Sequence, residues 1–289
     1  MSEGIRLEQV ATNGITLEVA VAGPEDGPLV ILLHGFPESW HGWRHQIGPL
    51  AEAGFRVVAP NQRGYGSSDK PRGIRAYSLD ELAADVVGLL DSLKREQAFL
   101  VGHDWGGIVA WWLLIHHPGR FTKAAILNAP HPVAIQQALR ADLGQIRRSW
   151  YTFAMQIPWL PEVMFRRRNF QALARALVNS SRPGTFSEAD LDRYREGWSN
   201  PGAIRGMVNW YRAAFRARPA PPADPIVRVP TLMLWGARDR FLGRGLAWIS
   251  GALCENLTVE WFEDATHWIQ HEEPERVNQA IIRFFQNRA

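Results

Sequence analysis

A single cysteine, Cys254, in 289 residues leaves no internal disulfide to form, which suits a reducing compartment and excludes a disulfide-stapled scaffold. Cys254 itself reads as a small packed residue. Lysine is nearly missing as well: Lys70, Lys94 and Lys123 are the only three among 32 basic residues. No apolar run approaches the roughly 20 residues that a membrane-spanning helix needs. The longest, Ile108 to Ile115, has eight. The first residues, Met1 to Arg6, lack the basic start and apolar stretch of a secretory leader, so a cytoplasmic protein without a membrane anchor is expected. No group of His, Cys, Asp or Glu has metal-ligand spacing, and neither a metal nor an organic cofactor is expected.

What is present is the composition of an ordinary globular protein, 46% hydrophobic and 21% charged, long enough for one α/β domain with an insertion. The net charge of +3 hides an uneven distribution. Between Ala134 and Pro222 stand 14 arginines and 6 acids, a local charge of +8, whereas the remainder carries −5. A basic segment of this kind can steer anions or touch a membrane surface or nucleic acid. Its arginines, including the run Arg166-Arg167-Arg168, are not interleaved with a nucleic-acid motif. They read as a solvated helical surface, and no nucleic-acid partner is expected.

The chain opens as a β-hairpin, with Ile5, Leu7, Ile15, Leu17, Val19 and Val21 alternating around the turn Asn13-Gly14. Short apolar runs follow at Leu29 to Leu33, Phe55 to Ala59, Ala98 to Val101 and Ala124 to Leu127, the lengths that parallel strands buried on both faces require. Helical patterns lie between them. The clearest is Ser78 to Leu93, where Ser78 and Glu81 predict a capping box. From Ala134 to about Arg218 the pattern is helical throughout. The proline-dense segment Pro219 to Pro225 then reads as a stiff connector. The β–α rhythm resumes with Thr231 to Trp235 and Leu257 to Phe262 and ends on an amphipathic helix around Val277 to Phe285. The expected fold is α/β, a mostly parallel, doubly wound sheet with an inserted α-helical cap. Residues 1–133 and 223–289 form its core and 134–222 the cap.

The stretch Val101-Gly102-His103-Asp104-Trp105-Gly106-Gly107 lies between two apolar runs, the layout of a strand, a sharp glycine-flanked turn and a helix. With serine at its centre this would be a nucleophile elbow of the Gly-x-Ser-x-Gly type. Asp104 changes the chemistry. A serine attacking an alkyl carbon would form an ether, which water does not readily cleave, whereas a carboxylate forms an ester that can be hydrolysed in a second step. Alone, a strand-end aspartate is as readily a helix cap. Two residues downstream fit the order nucleophile, acid, histidine. Asp239 follows a strand and a glycine turn in Trp235-Gly236-Ala237-Arg238-Asp239, and His267 follows the last strand. Asp239 would fix the imidazole, and His267 would be the general base that activates water. Asp264, nearest to His267 in sequence, is the rival acid. The loop His34-Gly35-Phe36-Pro37-Glu38 matches one that donates a backbone N–H to an oxyanion hole, with Phe36 and Trp105 as the donors. His34 reads as a loop brace.

An alkoxide produced by opening an epoxide is too basic to leave unaided, and tyrosine can protonate it. Three of the five tyrosines lie in the cap: Tyr151, Tyr194 and Tyr211. Tyr194, on a charged helical stretch, reads as packing. Trp150, Phe153, Trp159, Phe36 and Trp105 suggest an aromatic-lined substrate pocket.

The chain resembles the epoxide hydrolases of the α/β-hydrolase superfamily. The resemblance rests on His34-Gly35-Phe36-Pro37, Gly102-His103-Asp104-Trp105-Gly106-Gly107, Asn128-Ala129-Pro130-His131-Pro132, Ser149-Trp150-Tyr151-Thr152-Phe153, Asn209-Trp210-Tyr211-Arg212, Gly236-Ala237-Arg238-Asp239 and His267-Trp268, which span nearly the whole chain. It implies an α/β-hydrolase fold, an epoxide and water as reactants, and Tyr151 and Tyr211 as the pair that holds the epoxide oxygen. Haloalkane dehalogenases share the aspartate elbow but commonly carry an asparagine where this chain has Phe36. Haloacetate dehalogenases place an arginine where it has Trp105. A non-catalytic receptor of the same fold often lacks a catalytic member, and none is missing here.

Overall fold

The computed structural model describes residues 4–287; residues 1–3, on which the reading of the amino terminus partly rests, lie outside them. Eight strands form one sheet: β1 (Arg6–Thr12), β2 (Ile15–Ala22), β3 (Leu29–Leu33), β4 (Arg56–Pro60), β5 (Ala98–His103), β6 (Phe121–Leu127), β7 (Thr231–Gly236) and β8 (Leu257–Phe262), in the order β1-β2-β4-β3-β5-β6-β7-β8. Only the β1–β2 and β2–β4 pairings are antiparallel. The β1–β2 turn falls on Asn13 and Gly14, both at positive φ. Each apolar run predicted as a strand is one. The expected burial holds for the runs in β3, β4 and β6, and for that in β5 apart from the half-buried Phe99; β7 is buried throughout as well, whereas β8, the edge strand, is only partly covered.

On the sheet lie helices α1 (Arg44–Glu52), α2 (Leu79–Ser92) and α3 (Trp105–His116). Six more stand between β6 and β7: α4 (Pro132–Ala141), α5 (Leu143–Arg148), α6 (Trp150–Ala154), α7 (Leu160–Ser180), α8 (Glu188–Ser199) and α9 (Ala203–Arg216). After β7 come α10 (Arg244–Gly251), α11 (Ile269–Glu272) and α12 (Pro274–Gln286). Ser78 caps α2 by accepting from the Glu81 amide at 3.4 Å, but the reciprocal half of the predicted box does not form. The Glu81 carboxylate accepts instead from the Asn13 side chain at 3.2 Å, tying the hairpin turn to the helix. The helix α7 is not continuous: Arg167 to Phe170 leave helical φ/ψ.

Two apolar layers sandwich the sheet. Val30, Leu32, Val101, Ala125 and Leu234 face α1 and α12 on one side, and Ile31, Leu33, Leu100, Ile126 and Met233 face α2, α3 and the inserted helices on the other. Period-2 alternation of fully buried residues within β3 and β6 fixes the register, because a one-residue slip would exchange the two layers. The consequence for function is positional. Parallel strands β3, β5, β7 and β8 deliver Phe36, Asp104, Asp239 and His267 to the same carboxyl-terminal edge, where ligand sites of open α/β sheets form.

Candidate active site

Asp104 sits between β5 and α3 at φ 50°, ψ −121°, a left-handed conformation that few side chains adopt. Its neighbours must therefore be small. A Cβ on Gly35 would lie 2.4 Å from the Asp104 Cβ, and one on Gly106 would lie 2.1 Å from the Leu33 carbonyl oxygen. Close packing of the turn against the β3 loop brings the Phe36 amide to 2.8 Å from Asp104 Oδ1, to which it donates. Trp105 opens α3, where backbone amides have no acceptor within the helix. One carboxylate oxygen is thus held by the backbone, and Oδ2 faces His267 Nε2 at 3.5 Å.

On its other side, His267 Nδ1 lies 2.7 Å from Asp239 Oδ2. Asp239 is fully engaged: its Oδ1 accepts from the amides of Phe241 and Leu242 at 2.7 and 3.0 Å, and its Oδ2 also accepts from the Asn128 side chain at 2.7 Å. Asn128 in turn accepts from the Gly236 amide at 2.9 Å, which locks the loop that carries Asp239. These bonds fix the ring so that Nδ1 carries a proton toward Asp239 and Nε2 points at Asp104. Asp264 does not compete; it is exposed and paired with Arg238.

Burial alone would lower the pKa of His267, but the carboxylates of Asp239 and Asp104 overcome it and raise the value to about 10. For Asp104, burial pushes upward, and the hydrogen bond and charge of His267, with the Phe36 amide, bring it below the ordinary carboxylate range. The resting site is therefore an imidazolium between two carboxylates. Because the folded value lies above the unfolded one, the stability this contributes is complete below pH 6.5 and is lost as pH rises toward 10. Denaturant unfolding at pH 7 and pH 9 should show wild type losing stability faster than His267→Gln, by at most about 1.4 kcal/mol per pH unit. Equal losses in the two proteins would exclude the ion pair.

Two cavities meet at Asp104. The larger, about 960 Å³, is lined by Phe36, Trp150, Met155, Leu160, Phe165 and Phe241 among others; the second, about 450 Å³, by Trp105, Trp112, Leu139, Trp210 and Pro219 to Pro222. Asp104, Tyr151 and Tyr211 line both. The two tyrosine rings stand 6.0 Å apart, and Tyr211 packs edge-on against Trp105 at 5.0 Å. Burial raises both phenol pKa values, and the Asp104 carboxylate raises them further, so both stay protonated donors. Of the aromatic residues expected to line the pocket, Phe36, Trp105 and Trp150 do so. Phe153 and Trp159 do not. Phe153 is half exposed against Phe215, at 5.6 Å, and Trp159 points to solvent.

Sequence reasoning missed a second buried polar cluster beneath the site. Glu38 Oε1 accepts from Tyr194 and from His271 Nε2, each at 2.7 Å, and its Oε2 accepts from Gln270 at 3.2 Å. Burial lowers the His271 pKa to about 4, so its ring is neutral and Nδ1 is free to accept from Arg44 at 2.9 Å. Tyr194, read as aromatic packing, thus ties α8 to the β3 loop through a hydrogen bond as well. His103 joins the cluster to His267: its Nε2 donates to the His267 carbonyl at 2.9 Å. His34, read as a brace, is one, its neutral Nε2 accepting from the Gln62 amide at 3.1 Å. The only signal for Glu38 in the sequence was its place in the His34–Glu38 loop.

The geometry agrees with comparisons to known proteins. Residues 28–274 match the family described as the alpha/beta hydrolase fold. The chain is 44% identical over 99% of both lengths to the AB hydrolase superfamily protein YfhM of Bacillus subtilis, and 36% identical to mouse epoxide hydrolase 4 over 96% of this chain and 78% of that one. Among solved structures, an epoxide hydrolase from metagenomes of hot environments superposes with a TM-score of 0.88 at 34% identity, covering 98% of this chain and 99% of that one. The Bacillus megaterium epoxide hydrolase with a bound inhibitor gives 0.87 at 29% identity, over 97% and 100%. The fold and site define an α/β hydrolase. Within that family, the chain belongs with the epoxide hydrolases.

Proposed function

We propose that the protein converts an epoxide to a vicinal diol through an ester on Asp104, with the inserted helices acting as a cap over the site. The observation that carries this reading is the convergence of two protonated phenols, Tyr151 and Tyr211, on cavities that Asp104 also lines. Asp104 Oδ2 attacks an oxirane carbon, and the C–O bond breaks toward the tyrosines. One phenol gives its proton to the departing alkoxide and regains one from the His267 imidazolium. Esterification also removes the negative charge that helped keep His267 protonated, so the ring becomes a base only once there is an ester to hydrolyse. Water then gives a proton to Nε2 and attacks the ester carbonyl, whose oxygen rests on the amides of Phe36 and Trp105. Each such donor contributes about 3 kcal/mol to transition-state stability. Collapse breaks the acyl C–O bond, the leaving oxygen takes the second proton of the attacking water to complete the diol, and the carboxylate is restored beside its imidazolium.

Dehalogenation has less support. A departing halide needs N–H donors, and Phe36 offers only hydrocarbon beside the backbone. Apolar walls in both cavities favour a lipophilic epoxide. A single turnover in heavy-oxygen water tests the ester: the label should enter the Asp104 carboxylate, and the first diol formed should carry none from water. Label in that first diol, with unlabelled enzyme, would mean that water attacks the epoxide directly.

A further inference from the structure

We propose that the outer face of the inserted helices docks on anionic lipid surfaces, seating the mouth of the larger cavity against the bilayer. The inference does not depend on the reaction proposed above. Eight of the eleven exposed large apolar side chains of the described residues fall between Leu143 and Met164. Trp159 is 78% exposed and Trp150 67%. The clustering is spatial as well as sequential, because Trp150, Leu160 and Met164, from two helices, line one opening. Soluble proteins rarely leave such a patch without a use.

Charge selects the occupant. Arg147 and Arg148 line the same opening, and Arg166, Arg167 and Arg168 stand exposed at the break in α7. The two acids between Ala141 and Arg168, Asp142 and Glu162, are committed elsewhere. Glu162 pairs with the buried Arg212, and Asp142 caps α5 through the amides of Gly144 and Gln145. The patch is therefore apolar, indole-rich and rimmed by positive charge. A second copy pairing face to face would set these arginines against their own counterparts. An anionic bilayer instead offers each arginine a phosphate and places indoles at the headgroup level, where they partition best. A lipophilic substrate dissolved in that bilayer would enter the cavity without first crossing water.

Cosedimentation of the full chain tests this, using vesicles of phosphatidylcholine alone and of phosphatidylcholine mixed equally with phosphatidylglycerol. The protein should pellet with the mixed vesicles, far less with the neutral ones, and less in high salt. Arginine near an anionic surface contributes about fivefold in partition, so Arg166→Gln with Arg167→Gln and Arg168→Gln should weaken binding by roughly a hundredfold. Trp159→Ser with Val163→Ser should also weaken it at least tenfold. Both variants should hydrolyse a water-soluble epoxide as wild type does, which shows that they fold. Equal pelleting with the two vesicle types, or binding that the substitutions leave unchanged, overturns the proposal. So does a dimer in sedimentation velocity that the same substitutions dissolve, found without vesicle binding, since the face would then be a contact between copies.

Discussion

His267→Gln, mixed with excess epoxide, is expected to consume one equivalent in a burst and then turn over far more slowly, leaving the Asp104 peptide heavier by the mass of that substrate. The two half-reactions of the proposed mechanism ask different things of the ring. Alkylation needs Asp104 ionised and aimed, and the Phe36 amide at 2.8 Å supplies part of that without the histidine. Hydrolysis needs a base facing the ester, and His267 Nε2 faces Asp104 Oδ2 at 3.5 Å. Loss of a general base costs a hundredfold to ten-thousandfold, so deacylation should fall by roughly that much and become the slow step. Alkylation should also slow, because removing the imidazolium strands two buried carboxylates and raises the Asp104 pKa. Lower pH should therefore impair the variant's first step more than that of wild type. Mass spectrometry of the digested protein decides the matter. An unmodified Asp104 peptide after long exposure, from a variant that still binds substrate, would rule out the ester.

How much of this was legible in the residues follows from what a linear pattern can encode. Continuous apolar runs mark strands covered on both faces, so β3, β4, β5 and β6 were evident. The stretch Leu257 to Phe262 mixes apolar and polar residues, and β8 lies at one edge of the sheet, only partly covered. The meeting of Asp104, Asp239 and His267 was legible because each follows a strand in a fixed order, and parallel pairing brings all strand ends to one edge. Asn128, which clamps Asp239 from the end of β6, carried no comparable signal. Nor did the Glu38 cluster, whose partners His271, Tyr194 and Gln270 are 156 to 233 residues away. Trp159 and Phe153 were misplaced because aromatic residues in a helical insertion read alike whether they face a cavity or solvent. Only the tertiary packing distinguishes them. The break in α7 at Arg167 to Phe170 was likewise hidden, since no glycine or proline marks it. The segment Pro219 to Pro222, read as a connector, proves also to wall the smaller cavity.

Tyr151→Phe combined with Tyr211→Phe should lower kcat/KM for an epoxide by about ten-thousandfold, and each single change by about a hundredfold. In the proposed reaction the phenols face an oxygen that is only a weak acceptor in the bound epoxide and becomes an alkoxide as the C–O bond breaks. Donors aimed at it therefore act mainly in the transition state, and the loss should fall on kcat more than on KM. Phenylalanine keeps the ring contacts with Trp105 and Phe241, so a fold defect is not expected to account for the loss. Burial and the Asp104 charge raise both phenol pKa values above the ordinary tyrosine range, so no tyrosine ionisation should appear in the wild-type pH profile near neutral pH. A substrate series gives the sharper readout. An epoxide bearing electron-withdrawing substituents opens to a less basic alkoxide and needs less proton donation. The double variant should therefore lose much less against such a substrate than against a simple alkyl epoxide, steepening the dependence of rate on leaving-group basicity. A double variant with near-normal turnover, or one equally impaired on every epoxide of the series, would remove the tyrosines from the reaction.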